Sequence, residues 1–426
     1  MKSLNEWLHI VGIDPCPAAG ILSQKAGSQD CPQPHRPILP LPNDTALLAG
    51  AARLLELFPD FSGQKLPLTA GDLDSFIARI KSYRGQRVVV LASGDPNFYG
   101  LAATLLQHVD RKEVAIYPAV SSMQWAFAKA KIPWHDAALI SLHGRPMHHL
   151  ARIWPREKIG IFTDRENTPL RIASFLLDRG ARPEGEYFLL ENLGAEDEKI
   201  TCGRLKDLAA AQAESAPLNI LLLIKAASPD SPFSRYPAPG LPEEEFYHTA
   251  GLITKREIRA AVLSFLRPQE DSILWDIGAG SGSVSIEASR LIRSGLILAV
   301  EKKPAEVENI IKNRQKFQVL NLEVILGEAP IALAELPDPD RIFLGGSGRS
   351  LGHNLVACWQ RLKKGGVMVI NAITLESLTT AREFLASQAR RFDIIAIQVS
   401  RKKELAESTI MEPSAPVYIC LGEKDL

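Results

Sequence analysis

The chain has 426 residues, 46% of them hydrophobic and 23% charged, and its 49 basic and 49 acidic side chains give a formal net charge of zero. This length predicts two or three domains with cores of their own, and the charge balance argues against a broad nucleic-acid-binding face. No run approaches the roughly 18 apolar residues of a membrane span, and the amino terminus lacks the pattern of a signal peptide. We therefore expect a soluble, cytoplasmic protein that binds neither membrane nor nucleic acid.

The cysteines indicate neither a disulfide framework nor a metal site. There are five of them, an odd number, and no CxxC pair occurs. Such usage is typical of a reducing cytoplasm. Cys16, Cys31 and His35 lie close in sequence, but their spacing matches no zinc motif, so we expect a Pro-rich loop there and no metal.

The first half of the chain alternates β-branched runs with helical stretches, as expected of an α/β fold. The predicted strands are HIVGI, RVVVLAS, EVAIYP, ALISL, KIGIFT, GEYFLLEN and LNILLLIK, and the predicted helices are LAATLLQHV, SMQWAFAKA, LRIASFLLDRG and RLKDLAAAQA. A Pro-rich stretch from Ala226 to Phe246 then carries five prolines and cannot continue a helix or a central strand. We place the domains at 1–225 and 241–426, with 226–240 as the linker.

The second half has the pattern of a doubly wound parallel sheet. Continuous apolar runs, SILWDIG, LILAVE, LEVILGE, RIFLGG and VMVINA, are typical of strands buried on both faces. Helical segments separate them: SVSIEASRLIRS, PAEVENIIKNRQKF, GHNLVACWQRLKKGG and LESLTTAREFLASQ. Strand–helix alternation at this spacing predicts a doubly wound α/β sheet.

A glycine-rich loop, DIGAGSG from Asp276 to Gly282, joins the first of these strands to a helix. Glycine is needed where backbone turns tightly and approaches a ligand closely. A dinucleotide-binding loop would have its third glycine at position 283, which is Ser283, so a nicotinamide site is disfavoured. The loop resembles that of class I S-adenosylmethionine (SAM) methyltransferases, which implies a Rossmann-like domain whose Gly278, Ala279, Gly280, Ser281 and Gly282 hold SAM.

The next two strands end in residues that fit this resemblance. Glu301 ends LILAVE, 19 residues after Gly282, where a carboxylate can accept hydrogen bonds from two ribose hydroxyls. Glu328 and Ala329 end the third strand, near the expected adenine position. A glycine triplet alone is a weak signal, whereas a triplet between strand and helix with an acidic residue ending the next strand is a specific one.

The segments LPEEEFYHTAGLITKREIRAAVLSFL, WDIGAGSGSVSIEA and FLGGSG resemble the decarboxylating methyltransferases of cobalamin biosynthesis that act at carbon 15 of a precorrin. The resemblance spans residues 241–425. It implies that Thr254, the glycine loop, Glu301 and Ala329 bind SAM. It also implies a precorrin or cobalt-precorrin substrate, which loses the carboxylate of its ring C acetate.

The first half is similar to another family, the tetrapyrrole methylases of the carbon-5 type, whose fold has two α/β subdomains. The resemblance rests on LASGDPNFYG, PAVSSMQWAFA, SLHGRP, FTDRENTP, ENLG and PLNILLLI, in that order. It implies that Gly94, Asp95, Ser121 and Ser122 bind a second SAM; by themselves, Gly94 and Asp95 would indicate only a turn. The fused arrangement implies a bifunctional cobalamin-biosynthesis enzyme that methylates carbons 5 and 15 and forms homo-oligomers.

The first half also departs from its family's pattern. Asp14 and Cys16 stand where glycines of the first turn are expected, and Ala119 replaces a further glycine. A side chain where backbone should approach a ligand can block it. Two alternatives therefore remain. The amino-terminal half is an assembly or substrate-holding module beside a catalytic carboxy-terminal domain, or the chain methylates another small molecule.

A macrocycle with acetate and propionate groups calls for cationic anchors, and Arg in particular suits carboxylates. The candidate substrate contacts are Lys255, Arg256, Arg259, Arg349, His143 and Arg145. No side-chain nucleophile is assigned, because a sulfonium methyl group is already activated and needs chiefly correct positioning. The sequence leaves open whether the substrate carries cobalt and which methylation comes first.

Overall fold

The computed structural model describes residues 6–14, 41–69, 71–226, 232–249, 251, 253–345, 350–405 and 408–425. Over these ranges it is an α/β protein with three large sheets and one two-stranded ribbon, so the predicted fold class is confirmed. Cys16, Cys31, His35 and the candidate anchor Arg349 lie outside the described residues.

The first sheet is parallel throughout. Its strands are β1 (Leu8–Ile13), β2 (Thr45–Gly50), β3 (Gln64–Pro67), β4 (Arg87–Ser93) and β5 (Val114–Tyr117), in the order β3-β2-β4-β1-β5. The central strand β4 is the run RVVVLAS, whose three valines are fully buried. A continuous apolar run such as VVVLA forms a strand covered on both faces.

The second sheet is mixed. Its strands are β6 (Ala138–Ser141), β7 (Lys158–Phe162), β8 (Glu186–Glu191), β9 (Lys199–Arg204) and β10 (Asn219–Ile224), in the order β6-β7-β10-β8-β9. Only the pair β6–β7 is parallel, and the other three pairs are antiparallel. The first two sheets together belong to the amino-terminal half.

The third sheet, in the carboxy-terminal half, is the doubly wound sheet expected from the sequence. Its strands are β11 (Ile273–Ile277), β12 (Leu296–Glu301), β13 (Leu322–Leu326), β14 (Arg341–Leu344), β15 (Val367–Ala372), β16 (Arg391–Ile397) and β19 (Val417–Glu423), in the order β13-β12-β11-β14-β15-β19-β16. The first five of that order are parallel, and β19 is antiparallel to both neighbours. Among the described strands, β17 (Ser400–Leu405) and β18 (Ser408–Pro413) pair only with each other.

Twelve α-helices are present among the described residues, and the long ones bury one apolar face each. In the helix that precedes β11, for example, Ile258, Val262, Leu263 and Leu266 are buried. The helices are α1 (Ala52–Leu55), α2 (Leu73–Lys81), α3 (Ala102–Leu105), α4 (Ser122–Ala130), α5 (Pro169–Asp178), α6 (Leu205–Ala209), α7 (Pro232–Arg235), α8 (Arg256–Leu266), α9 (Ser283–Ala288), α10 (Pro304–Phe317), α11 (Leu351–Arg361) and α12 (Leu375–Gln388). The predicted helices LAATLLQHV, RLKDLAAAQA and SVSIEASRLIRS are thus longer than the observed α3, α6 and α9.

The two halves of the chain pack against each other where α5 ends. Arg179 is 6% exposed and donates hydrogen bonds to the carbonyl oxygen of Leu320 (3.2 Å) and to Glu323 Oε1 (2.5 Å) in the other half. Asp178 accepts from Arg314 at 2.8 Å. Leu320 itself is 1% exposed and belongs to the apolar cluster of the second sheet, so a residue of the carboxy-terminal half completes an amino-terminal core.

No helix in the described ranges is long and apolar enough to cross a membrane.

Candidate functional site

A cavity of about 1010 Å³ opens at the carboxyl ends of β11, β12, β14 and β15. This is the position at which doubly wound sheets bind ligands. Of the predicted cofactor residues, its wall contains Thr254, Gly278, Ala279, Gly280, Ser281 and Glu301. Sequence reasoning thus brought together residues from three separate segments of the chain.

Two glycines of the loop are required by its backbone conformation, for different reasons. Gly278 has φ of 71°, and a Cβ there would lie 2.2 Å from the carbonyl oxygen of Gly345. Gly282 also has φ of 71°, but it lies outside the cavity wall, and a Cβ there would meet Ile310 at 2.9 Å. Gly278 therefore shapes the cavity, whereas Gly282 permits α9 to pack on α10.

Ser281 adds a polar group to this wall. It is 1% exposed, and its Oγ has no hydrogen-bond partner among the described residues. A buried hydroxyl without a partner is costly. A polar ligand in this cradle would satisfy it, so the loop fits a group with hydrogen-bonding atoms, as the methionine part of SAM has.

Glu301 ends β12 and is 7% exposed. Its Oε2 accepts the N–H of Gly280 at 2.9 Å, and its Oε1 accepts the N–H groups of Lys302 (2.9 Å) and Lys303 (3.0 Å). An ionised carboxylate has about four acceptor sites, so capacity remains for a hydroxyl of a ligand. The same contacts hold the glycine loop against the end of β12.

Asp276 lies beneath the loop and is fully buried. Its Oδ2 accepts from the Ser285 hydroxyl (2.6 Å) and N–H (3.2 Å), while its Oδ1 has no partner within the described ranges. Burial raises the pKa of Asp276 from 3.8 to about 6; the Ser285 hydrogen bonds oppose this rise, and the charge of Glu301 adds to it. The loop thus packs on a carboxyl group whose ionised form is destabilised by burial.

Ala329 lies in a smaller adjoining cavity of about 360 Å³ that shares Gly278, Glu301 and Lys303 with the first. Glu328 and Asn354 also line this side cavity, and Asn354, 5% exposed, has an Oδ1 with no partner in the described part of the chain. This geometry puts Ala329 beside the glycine loop. Asn354 was not anticipated, because nothing in its sequence surroundings distinguishes it from a helix-surface residue.

The cationic candidates of the carboxy-terminal half differ in their exposure and in whether they line the cavity. Lys255 is exposed and lines the cavity, whereas Arg256 is exposed but is not part of its wall. Arg259 requires a correction: its side chain is 0% exposed and pairs with Glu287 at 2.5 Å, so it cannot reach a ligand. Lys303, which the sequence analysis missed, also lines the cavity.

A second large cavity, of about 1060 Å³, lies between the first and second sheets. Ser121, Ser122 and His143 line it. Ser121 caps α4 by accepting the Gln124 N–H at 3.2 Å, so the amino terminus of this helix faces the cavity. A helix amino terminus favours polar or anionic groups of a ligand.

Gly94 and Asp95 support this cavity rather than line it. Gly94 has φ of 68°, and a Cβ there would lie 2.9 Å from Ser121 Cα. Asp95 Oδ1 accepts the Asn97 N–H at 2.9 Å, the local turn bond expected for this motif. Gly94 thus allows the end of β4 to contact the Ser121 loop, and Asp95 stabilises the turn that follows it.

Asp14 and Ala119, which stand where glycines are expected, have different surroundings. Asp14 lines the amino-terminal cavity, and its Oδ1 accepts a hydrogen bond from Trp125 Nε1 at 2.7 Å. Ala119 packs against Gly12, where a Cβ would lie 2.6 Å from the Ala119 nitrogen. Close backbone contact is therefore retained at Gly12, and the Asp14 side chain is turned onto α4.

The candidate anchors of this half lie at its rim. His143 is exposed on the cavity wall, and Arg145 lies outside that wall with its guanidinium 5.9 Å from the ring of Tyr99, which lines the cavity. Arg53 and Arg165 line the cavity as well and were missed. Arg165 belongs to the quoted FTDRENTP motif, so its charge could have been noticed. Groups of His, Cys, Asp and Glu able to hold a metal ion are absent from the described ranges.

Two family models match the chain. The model for tetrapyrrole (corrin/porphyrin) methylases matches residues 37–209, and the precorrin methyltransferase domain matches residues 245–424. Each match contains most residues of one of the two cavities. The stretch between the matches, residues 210–244, contains the predicted linker 226–240.

Individual proteins resemble the chain over one half or over both. The precorrin-6Y C(5,15)-methyltransferase [decarboxylating] of Sinorhizobium sp is 31% identical over 415 residues, which are 97% of this chain and 95% of that protein. A probable cobalt-precorrin-6B C(15)-methyltransferase (decarboxylating) of Pyrobaculum aerophilum is 40% identical over 43% of this chain and 95% of its own. The crystal structure of a precorrin-6Y C5,15-methyltransferase from Geobacter metallireducens GS-15 is 44% identical, covers 45% of this chain and 100% of that chain, and has a TM-score of 0.42. Since the resemblance to the first relative extends over nearly the whole of both proteins, the chain belongs to the family of decarboxylating precorrin-6Y C(5,15)-methyltransferases.

Proposed function

We propose that this chain transfers methyl groups from SAM to carbons 5 and 15 of precorrin-6Y, or of its cobalt form, and removes the carboxylate of the ring C acetate. The observation that carries the proposal is that each half holds one cavity of about 1000 Å³ against residues of its own cofactor motif. Volumes of this size are at the upper end of those found for ligand sites. The domain limits 1–225 and 241–426 are part of this proposal, and so is a homo-oligomeric state.

Bound SAM would supply an electrophilic methyl group: a ring carbon forms the new C–C bond as the C–S bond breaks, leaving S-adenosylhomocysteine. The work of the protein is to hold both partners in line. In the carboxy-terminal cavity, Glu301 and the loop from Gly278 to Ser281 would hold the cofactor, with Ala329 beside its adenine. Lys255 and Lys303 would bind carboxylates of the macrocycle. In decarboxylation the acetate C–C bond breaks, CO₂ leaves, and the electron pair enters the conjugated ring.

Asp14 supports a second candidate function for the amino-terminal half. Its carboxylate lies in the wall of that cavity where the family has a glycine. This half would then bind the substrate or hold subunits together, and only carbon 15 would be methylated.

Calorimetry with S-adenosylhomocysteine separates the two candidates. Two binding sites per chain are expected for two methyltransferases. One site that disappears in Glu301→Ala would favour the second candidate. Mass spectrometry of the product on precorrin-6Y then distinguishes two added methyl groups from one, and no methylation of any precorrin would refute both.

A further inference from the structure

Asn313 lies on α10 with no exposed surface, and it joins two segments that are distant in sequence. Its Nδ2 donates to the carbonyl oxygens of Ser281 (2.8 Å) and Tyr247 (2.9 Å), and its Oδ1 accepts the Tyr247 N–H (2.8 Å). Ser281 belongs to the glycine loop, and Tyr247 belongs to the stretch that precedes α8. Because a buried amide is tolerated only when it is bonded, the loop and this stretch are held at a fixed separation.

The buried ion pair of Arg259 and Glu287 makes the same connection at a second point. Both side chains are 0% exposed, and Arg259 Nε donates to Glu287 Oε1 at 2.5 Å. Arg259 Nη1 also donates to the carbonyl oxygen of Thr254 at 2.5 Å, and Nη2 donates to that of Leu241. Glu287 lies on α9, the helix that begins at the glycine loop, and it accepts the N–H groups of Gly240 (2.6 Å) and Leu241 (2.9 Å). Arg259 therefore binds protein backbone at the rim of the cavity.

We propose that Asn313 and the Arg259–Glu287 pair are positioning residues for the carboxy-terminal cavity. They fix the backbone of Ser281 and Thr254, both of which line it. Replacing them therefore lowers the affinity for the cofactor by more than the accompanying loss of fold stability explains. The inference rests on the proposed use of this cavity for SAM.

Asn321 provides a matched control for Asn313. It is 1% exposed, and its Nδ2 also donates to two carbonyl oxygens, those of Ile292 (2.7 Å) and Gly295 (3.1 Å). These partners precede β12, at the amino ends of the strands and away from the cavity wall. Both asparagines thus form hydrogen bonds to backbone groups inside the same domain, and of the two only Asn313 does so at the cavity.

The test compares Asn313→Ala with Asn321→Ala in the full chain, by calorimetry with S-adenosylhomocysteine and by urea unfolding. We expect both variants to lose unfolding stability, Asn321→Ala by less because its Oδ1 has no partner within the described residues, with the Kd of the Glu301-dependent site raised at least about ten-fold for Asn313→Ala and within about two-fold of wild type for Asn321→Ala. The KM for SAM should rise in the same ratio, with kcat at saturation nearly retained. Equal changes of Kd in the two variants would overturn the proposal.

Two further arms keep the test decisive. If Asn313→Ala does not fold, Arg259→Lys replaces it, because lysine keeps the charge opposite Glu287 but cannot also bond the carbonyl groups of Thr254 and Leu241. An unchanged Kd in that variant would overturn the proposal. If the wild type binds no S-adenosylhomocysteine at a Glu301-dependent site, the proposed function fails. Faster amide hydrogen exchange of residues 278–282 in Asn313→Ala than in Asn321→Ala would still support the positioning role, and equal exchange would refute it.

Discussion

Replacing Asp276 by Asn should change how the stability of the carboxy-terminal domain depends on pH. The folded protein raises the pKa of this carboxyl from 3.8 to about 6, so between these values the folded state binds more protons than the unfolded state. Stability from this group is then fully present below pH 3.8 and is lost as pH rises through 6. The total loss is on the order of 3 kcal/mol, roughly half of which falls between pH 5 and pH 8.

An asparagine at this position cannot ionise, so it removes the pH-dependent part. The asparagine N–H₂ group would take the place of Oδ1, which has no partner among the described residues. Its unsatisfied hydrogen bonds lower the free energy of unfolding by the same amount at every pH. The free energy of unfolding of Asp276→Asn minus that of the wild type should therefore rise by roughly 1 kcal/mol from pH 5 to pH 8. Urea unfolding followed by tryptophan fluorescence measures it, since Trp275 is fully buried next to this residue. Asp393→Asn, at an exposed position on β16, is the control. A difference that stays constant or falls with pH would refute the reasoning.

Three further substitutions test the sites and the contact between the halves. Glu301→Gln should lower the affinity for S-adenosylhomocysteine at least about ten-fold, because an amide must turn its N–H₂ toward either the Gly280 or the Lys302 N–H; calorimetry showing wild-type affinity would contradict this. Lys255→Ala should raise the KM for the precorrin while leaving S-adenosylhomocysteine binding intact, and equal loss of both would count against an anchoring role. Arg179→Ala should separate the unfolding of the two halves in scanning calorimetry by leaving the Leu320 carbonyl without this donor, whereas Arg204→Ala, in an exposed ion pair, should not.

The strands predicted with correct bounds are those built on a continuous apolar run. RVVVLAS, LILAVE and VMVINA coincide with β4, β12 and β15, since burial on both faces leaves no place for polar residues. The strands β16 and β18 were missed, because β16 begins with three exposed residues and β18 is exposed throughout. β9 was missed for a similar reason, since it is an edge strand with alternating polar residues.

The candidate site was predictable where a motif fixes the backbone, and less so where only charge was used. The glycine loop and Glu301 lie together because strand ends meet at one edge of a parallel sheet. Arg259 was assigned by charge alone, although Val262, Leu263 and Leu266 follow it at helical spacing and are all buried. That pattern already places Arg259 on the core face of α8, where an arginine must bond other protein groups. Asn313 could not be found from sequence, because its partners are backbone atoms of a distant segment.

The position of Leu320 has a consequence for anyone who divides this protein into two separate polypeptides. Its side chain fills the core of the second sheet beside Leu176 and Ala181, although it is encoded after the linker. An amino-terminal fragment ending before the linker would have a cavity in the core of the second sheet. Its Arg179 would also lack the Leu320 carbonyl acceptor. The carboxy-terminal fragment would expose the same leucine to water. Single-site knockouts in the intact chain are therefore the sounder way to assign one methylation to each half.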